Sequence, residues 1–223
     1  MTLHLPCPNC GAPVAFRSAA LPSVVCAQCR SMLVRSDSGV AVTGVSAAVP
    51  FDVSPVQLGM RGSIDGLAFE VVGRLRWAWT DGSWNEWLLL FGDGRTRWLG
   101  DAMGQFMILE ERPFEAIKTR GLKTIAAGGE AVPGTELQID GGRWVIGDAR
   151  DVVCIAAEGE LPLDPRPGSR LYSVDIRNAT GDVASLQRDA EGTSFYSGRY
   201  VTLAELAPRG LRAFEGWALP TYA

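Results

Sequence analysis

Residues 64–79 read IDGLAFEVVGRLRWAW, and this stretch decides the fold class. Asp65-Gly66 between two hydrophobic runs is typical of the tight turn in a β-hairpin. After the turn, Leu75, Trp77 and Trp79 alternate with other residues, so they fall on one face of the predicted strand. The stretch therefore predicts a hairpin whose second strand is half-buried.

The same pattern recurs 75 residues downstream, where Ile139-Asp140-Gly141 leads into another run that ends in glycine. Further runs at residues 87–91 and 170–176 have the composition and alternation of strands. We therefore predict a mainly β fold with two related small β-barrel-like or β-sheet repeats and few short helices. The first repeat covers residues 56–128 and the second covers residues 129–214.

Two Cys-x-x-Cys pairs near the N-terminus are separated by fifteen residues. Four thiolates at this spacing can form the closed tetrahedral shell that structural zinc prefers. We predict an N-terminal four-cysteine zinc ribbon over residues 1–38, with structural Zn²⁺ as the cofactor. A thiol redox pair and an iron–sulfur cluster are the alternatives. The four predicted metal ligands are Cys7, Cys10, Cys26 and Cys29.

Shorter segments complete the predicted organisation. Residues 39–55 contain Gly, Ser and Pro with few charges, which is typical of a linker, with room for one short strand. Residues 114–125 predict one helix between the repeats, and Thr202 and Glu205 have the spacing of a capping box. Cys154 lies in an apolar run and is predicted to be a buried, unligated thiol.

Composition narrows the location and the chemistry. The 223 residues are 47% hydrophobic and 21% charged, with a net charge of −4, which predicts a globular chain. The sequence has neither a secretory signal pattern nor a long apolar span, so we expect a cytoplasmic protein without a transmembrane segment. The one histidine, His4, excludes a Ser-His-Asp triad in the repeats. We predict that the chain is not an enzyme, with an unrecognised carboxylate site as the alternative.

Five of the seven tryptophans lie between residues 69 and 106. Aromatic side chains near turns are common in recognition surfaces. We therefore predict a zinc-containing binding or adaptor protein that contacts an unidentified protein through Trp77, Trp79 and Trp84, with Trp84 in an exposed loop. The alternative is that these tryptophans form the core of a small barrel.

Arginines beside the tryptophans suggest a different partner. Small barrels that bind single-stranded nucleic acid combine basic grooves with aromatic side chains on which bases stack. The negative net charge argues against this function, although it stays an alternative. The arginines concerned are Arg74, Arg76, Arg95 and Arg97.

Four features of the first repeat occur in a characteristic order: Gly59 before the turn at 64–66, Val71-Val72-Gly73, the run WNEWLLL at 84–90, and a hairpin from Gly94 to Trp98-Leu99. This order resembles the bacterial domain-of-unknown-function 4178 family. The resemblance covers residues 56–206 and implies tandem copies behind a Cys-x-x-Cys ribbon. It implies no established activity, only an association with membrane-stress or polyamine-related systems.

Overall fold

The computed structural model describes residues 2–37, 39–164, 167–216 and 218–219, so Met1 and Ser38 of the predicted ribbon lie outside the described residues. The chain is mainly β with few short helices, as predicted. Its helical segments are α1 (Leu122–Ala126) and single 3₁₀ turns at Phe114–Ala116 and Ala204–Leu206. The strands are β1 (Leu3–Pro6), β2 (Pro13–Phe16), β3 (Ser23–Val25), β4 (Ser31–Ser36), β5 (Gly39–Val45), β6 (Arg61–Ile64), β7 (Leu67–Trp79), β8 (Gly82–Phe91), β9 (Thr96–Ala102), β10 (Gln105–Arg112), β11 (Thr119–Arg120), β12 (Glu136–Ile139), β13 (Gly142–Leu161), β14 (Arg170–Asn178), β15 (Asp182–Arg188) and β16 (Thr193–Val201).

Eight of these strands close into one ring, and each half of the chain contributes four. Successive strands pair antiparallel from β7 to β10 and again from β13 to β16. The halves meet twice, because β10 pairs with β16 and β7 pairs with β13. The strands of the two predicted repeats therefore share one closed sheet.

Each half begins with the same hairpin. Asp65-Gly66 joins β6 to β7 and Asp140-Gly141 joins β12 to β13, and all four residues have positive φ. This conformation is that of a two-residue turn matching the twist of the strands. The amide of Gly59 donates to the carbonyl of Val71 at 2.8 Å, and Gly134 makes the equivalent bond in the second half at 2.8 Å. Both Asp-Gly hairpins predicted from the sequence are present.

The helical segments differ in part from the prediction. Residues 114–125 do not form one helix, because Thr119–Arg120 pairs with β12 and its backbone groups enter the sheet. The capping box is present, since the amide of Glu205 donates to Thr202 Oγ1 at 3.2 Å and the amide of Thr202 donates to the Glu205 carboxylate at 2.7 Å. The box therefore precedes the predicted short turn of helix.

The cysteine-containing segment rests directly on the ring. β3 pairs with β4, and β4 pairs with β5, so the first part of the predicted linker extends this sheet. β3 also pairs with residues 159–161 of β13. Ser46 Oγ donates to the carbonyl of Ala157 at 2.9 Å and adds a second contact.

The two largest apolar cores lie on the outer face of the ring. One includes Trp87 and is covered by residues 56–64 and by Leu206. The other includes Phe195 and is covered by residues 117–139. Because successive residues of a strand point to opposite faces, the side chains between these core positions point into the lumen.

The ring closes at a contact that requires glycine. Gly73 of β7 pairs with Gly159 of β13, and a Cβ at Gly73 would lie 2.0 Å from the carbonyl oxygen of Glu160. We expect Gly73→Ala to lower the free energy of unfolding by about 1–3 kcal/mol, the usual cost of overpacking. Gly92→Ala is the control, because its Cβ would meet no atom within 4 Å. Urea unfolding checks both, and equal effects would contradict this account of the closing contact.

Candidate metal centre and ring lumen

The two Cys-x-x-Cys segments have the same backbone geometry. The amide of Gly11 donates to the carbonyl of Cys7 at 2.8 Å, and the amide of Arg30 donates to the carbonyl of Cys26 at 2.8 Å. The first cysteine of each pair also donates its own amide across the turn, Cys7 to the carbonyl of Ala12 and Cys26 to that of Ser31. These bonds bend the chain so that both thiols of each pair point the same way.

The two turns bring all four cysteines together. Their Sγ atoms lie within 4.8 Å of one another, and the Cys7–Cys29 and Cys10–Cys26 distances are both 3.7 Å. Thiolates about 2.3 Å from a tetrahedral ion are about 3.8 Å apart, so the arrangement can hold a metal ion. None of the four forms a disulfide. Four thiolates complete the shell and leave no position at which an ion could activate water.

The fifth cysteine is separate from this centre. Cys154 is 2% exposed and packs among Leu75, Trp77 and Leu171. Burial raises the pKa of its thiol to about 11, which keeps it protonated near neutral pH. The prediction that Cys154 is a buried residue of the apolar core is confirmed.

The lumen of the ring contains a cavity of about 460 Å³, lined by side chains from all eight ring strands. A second cavity of about 210 Å³ adjoins it. Glu86, Trp98, Gln187 and Tyr196 line both cavities, so these four residues separate them. Together the cavities fall within the size range of small-molecule sites.

The three tryptophans predicted to bind a partner lie at this lumen. Trp77 is only 7% exposed and packs beside Leu75 and Cys154. Trp79 and Trp84 are half-buried, line the larger cavity and have ring centroids 5.7 Å apart. Trp84 was predicted to lie in an exposed loop, but it belongs to β8, because the turn is complete by Gly82. The strand alternation that groups these residues points them inward.

Glu86 is the carboxylate between the two cavities. It accepts hydrogen bonds from Trp77 Nε1 at 2.8 Å, Trp84 Nε1 at 3.2 Å and Gln187 Nε2 at 3.0 Å. Burial raises the pKa of Glu86, and these three donors oppose the rise. The lumen therefore positions one carboxylate through three neutral donors.

Three further carboxylate residues, Asp101, Asp148 and Asp175, and one guanidinium, Arg150, line the larger cavity. Arg150 forms an ion pair with Asp148, and its guanidinium lies 4.3 Å from the ring centroid of Trp79. Burial raises the pKa of Asp175 to about 6, and the nearby Asp148 and Glu86 carboxylates add to the rise. The cavity is therefore both acidic and aromatic.

The raised pKa of Asp175 gives a pH-dependent prediction. Its charged form is disfavoured in the folded state, so stability falls as pH rises from about 4 to about 6 and stays reduced above that. Asp175→Asn removes this penalty, so we expect about 1–3 kcal/mol more stability at pH 7.5 and little change at pH 4. Urea unfolding at both pH values measures this, and an equal effect at each would contradict the assignment.

The arginines considered for nucleic-acid binding are engaged by carboxylates. Arg74 and Arg76 are buried, and both donate to the Asp52 carboxylate. Both also donate to Asn85 Oδ1, on the face of β8 opposite Glu86. The other two are also paired: Arg95 with Asp93 and Arg97 with Asp65 and Glu110.

Sequence reasoning did not single out the lumen carboxylates. Nothing in the spacing of Glu86 distinguishes it from a solvated carboxylate. The available signal was its place between Trp84 and Leu88 on one face of an otherwise apolar strand. Asp175 gave a similar signal, because it alternates with buried Val174 and Ile176.

Within the part of the chain that the structure describes, none of the helices has the length and hydropathy needed to cross a bilayer. A family model described as "Domain of unknown function (DUF4178)" matches residues 57–203. That span includes all eight strands of the ring. Neither a curated protein nor a solved structure matches the chain.

Proposed function

The chain belongs to the DUF4178 family, and from that premise we propose that it is a non-catalytic, zinc-containing binding protein that holds a small molecule in the lumen of its ring. The lumen is the single observation that carries the proposal. The two largest apolar cores lie on the outer face, so the inner face around Glu86 and Asp175 can carry polar groups.

The carboxylates of the lumen lower the stability of the fold unless a bound ligand compensates for them. Partly buried carboxylates destabilise a folded chain when they have no cationic partner. Apolar side chains at Glu86 and Asp175 would fill the ring without this cost. Sites that bind ligands commonly sacrifice stability in this way.

Zinc is the ion that best suits the cysteine centre. Four thiolates in a closed tetrahedral shell are typical of structural zinc, and a reducing cytosol keeps such thiols from forming disulfides. Bound there, zinc would fold the N-terminal segment and hold β3 against the end of β13. This role supports the ring and adds no chemistry to the lumen.

A protein partner is a second candidate, favoured by one surface feature. Phe51 is 81% exposed, and Val53 beside it is also exposed. The ring of Phe214 lies 6.5 Å from that of Phe51 in an edge-on arrangement. Exposed apolar groups of this kind are common where proteins bind one another.

A thermal-shift screen with chemically diverse small molecules tests the lumen proposal. We expect at least one class of compound to raise the Tm of the wild type by several degrees at saturating concentration. Ser173→Phe, which places a large side chain in the cavity, should abolish the shift while the variant stays folded. The proposal fails if no compound stabilises the protein, or if the two proteins respond alike.

A further inference from the structure

We infer that the ligand of the lumen is an organic ammonium ion with an apolar body, held between Glu86 and Asp175. This inference rests on the proposed function and adds the chemical class of the ligand. The lumen charges, its aromatic walls and the partly apolar cavity that adjoins it carry the inference together.

The charge of the larger cavity favours a cation. Of the residues that line it, four carry carboxylates (Glu86, Asp101, Asp148 and Asp175) and one carries a guanidinium, Arg150. Arg150 forms its ion pair with Asp148. Among the described residues, neither Glu86 nor Asp175 forms an ion pair within 4 Å, and their hydrogen-bond donors are indoles, an amide and the Ser185 hydroxyl. The charge of Arg150 acts to lower the pKa of Asp175, but burial and the neighbouring carboxylates outweigh it. A bound cation would supply the missing positive charge.

The aromatic walls suit an ammonium group. Trp84, Trp98 and Tyr196 line the cavity that Glu86 and Asp175 share. Aromatic faces attract cations, most strongly where water is excluded. The lumen already contains one such contact, because the Arg150 guanidinium stacks on Trp79. An ammonium ion between the carboxylates would use the same chemistry.

The second cavity explains the apolar body. Leu75, Leu163, Leu171 and Cys154 give it one apolar wall, and the carboxylates of Asp164, Asp189 and Glu191 also line it. It begins at Glu86 and Tyr196, where the larger cavity ends. An alkyl chain attached to the ammonium group can therefore extend past Glu86 into this space.

Calorimetric titration of the full chain at pH 7.5 tests the inference with three matched probes: hexylammonium, hexan-1-ol and hexanoate. They share one alkyl chain and differ in head charge. We expect hexylammonium to bind at least about tenfold more tightly than hexan-1-ol, and hexanoate not to bind. Glu86→Gln and Asp175→Asn should each weaken hexylammonium by about tenfold or more. Glu136→Gln makes an equal charge change at an exposed position of β12 and should leave the affinity for hexylammonium within about twofold.

Each other outcome has a distinct meaning. Binding of hexan-1-ol or hexanoate as tight as that of hexylammonium overturns the cationic class while the lumen remains a ligand site. Equal weakening by Glu136→Gln overturns the role of the lumen carboxylates. If no probe binds, the inference fails, and the thermal-shift screen decides separately whether the lumen takes another ligand. Thermal unfolding of each variant establishes that it is folded.

Discussion

Cys26→Ser is expected to release the metal and unfold the N-terminal segment. Cys26 is buried in a small core that contains only five other fully buried residues. Such a core cannot compensate for losing a structural zinc, whose binding contributes about 10–16 kcal/mol of apparent free energy in small domains. Metal content should fall from about one equivalent of zinc to well below it. Elemental analysis and circular dichroism measure the two losses.

Cys154→Ser is the matched control for this experiment. It also replaces a buried thiol with a hydroxyl, but it lies outside the four-cysteine centre. We expect it to retain about one equivalent of zinc. Wild-type protein without bound metal, or equal loss of metal in the two variants, would contradict a structural zinc site.

Asp52→Asn is expected to lower the free energy of unfolding by about 3–5 kcal/mol. The Asp52 side chain is 8% exposed and accepts from Arg74, Arg76 and Arg212. Burial alone would raise the pKa of Asp52, but the guanidiniums of Arg74 and Arg212 and the amide of Ser54 hold it below its usual range. Asp52→Asn leaves three neighbouring guanidiniums without the negative charge of Asp52. The expected loss of stability therefore exceeds that caused by breaking a surface ion pair.

Asp93→Asn is the control that distinguishes the effect of burial from the effect of ion pairing. Asp93 is also paired with an arginine, Arg95, at 2.7 Å, but both groups are exposed. Exposed pairs contribute about 0–1 kcal/mol, so we expect a small change. Chemical denaturation compares the two variants. If Asp52→Asn is no more destabilising than Asp93→Asn, the buried network does not stabilise the fold as we describe.

Local features of the fold were predictable because short segments determine them. Asp65-Gly66 and Asp140-Gly141 specify their own turns, and the cysteine spacing specifies a common centre. Closure of the ring was not predictable, because it depends on pairing between residues far apart in the chain. Leu75 meets Ala157, and Phe106 meets Val201. Nothing local in either segment encodes that partner.

The same dependence on pairing between distant residues explains why the inward position of the tryptophans was not predictable. Alternation groups Trp77 with Trp79 on one face, but an inner face and an outer face have the same period. Ring closure decides which face is enclosed. The apolar side chains on the opposite, outer face, such as Leu89 and Phe91, are covered by residues 56–64 and do not line the lumen. Only this long-range arrangement turns an apparent contact surface into the wall of a cavity.

The indole N–H signals in a ¹H–¹⁵N spectrum test the central claim most directly. Trp77 and Trp84 donate these hydrogens to Glu86 inside the lumen, whereas Trp144 packs against the outer core of the second half and is not among the residues that line either cavity. As hexylammonium is added, the signals of Trp77 and Trp84 should shift to saturation while that of Trp144 stays in place. A shift confined to Trp144, or binding that leaves the Trp77 and Trp84 signals unmoved, would contradict a ligand in the lumen.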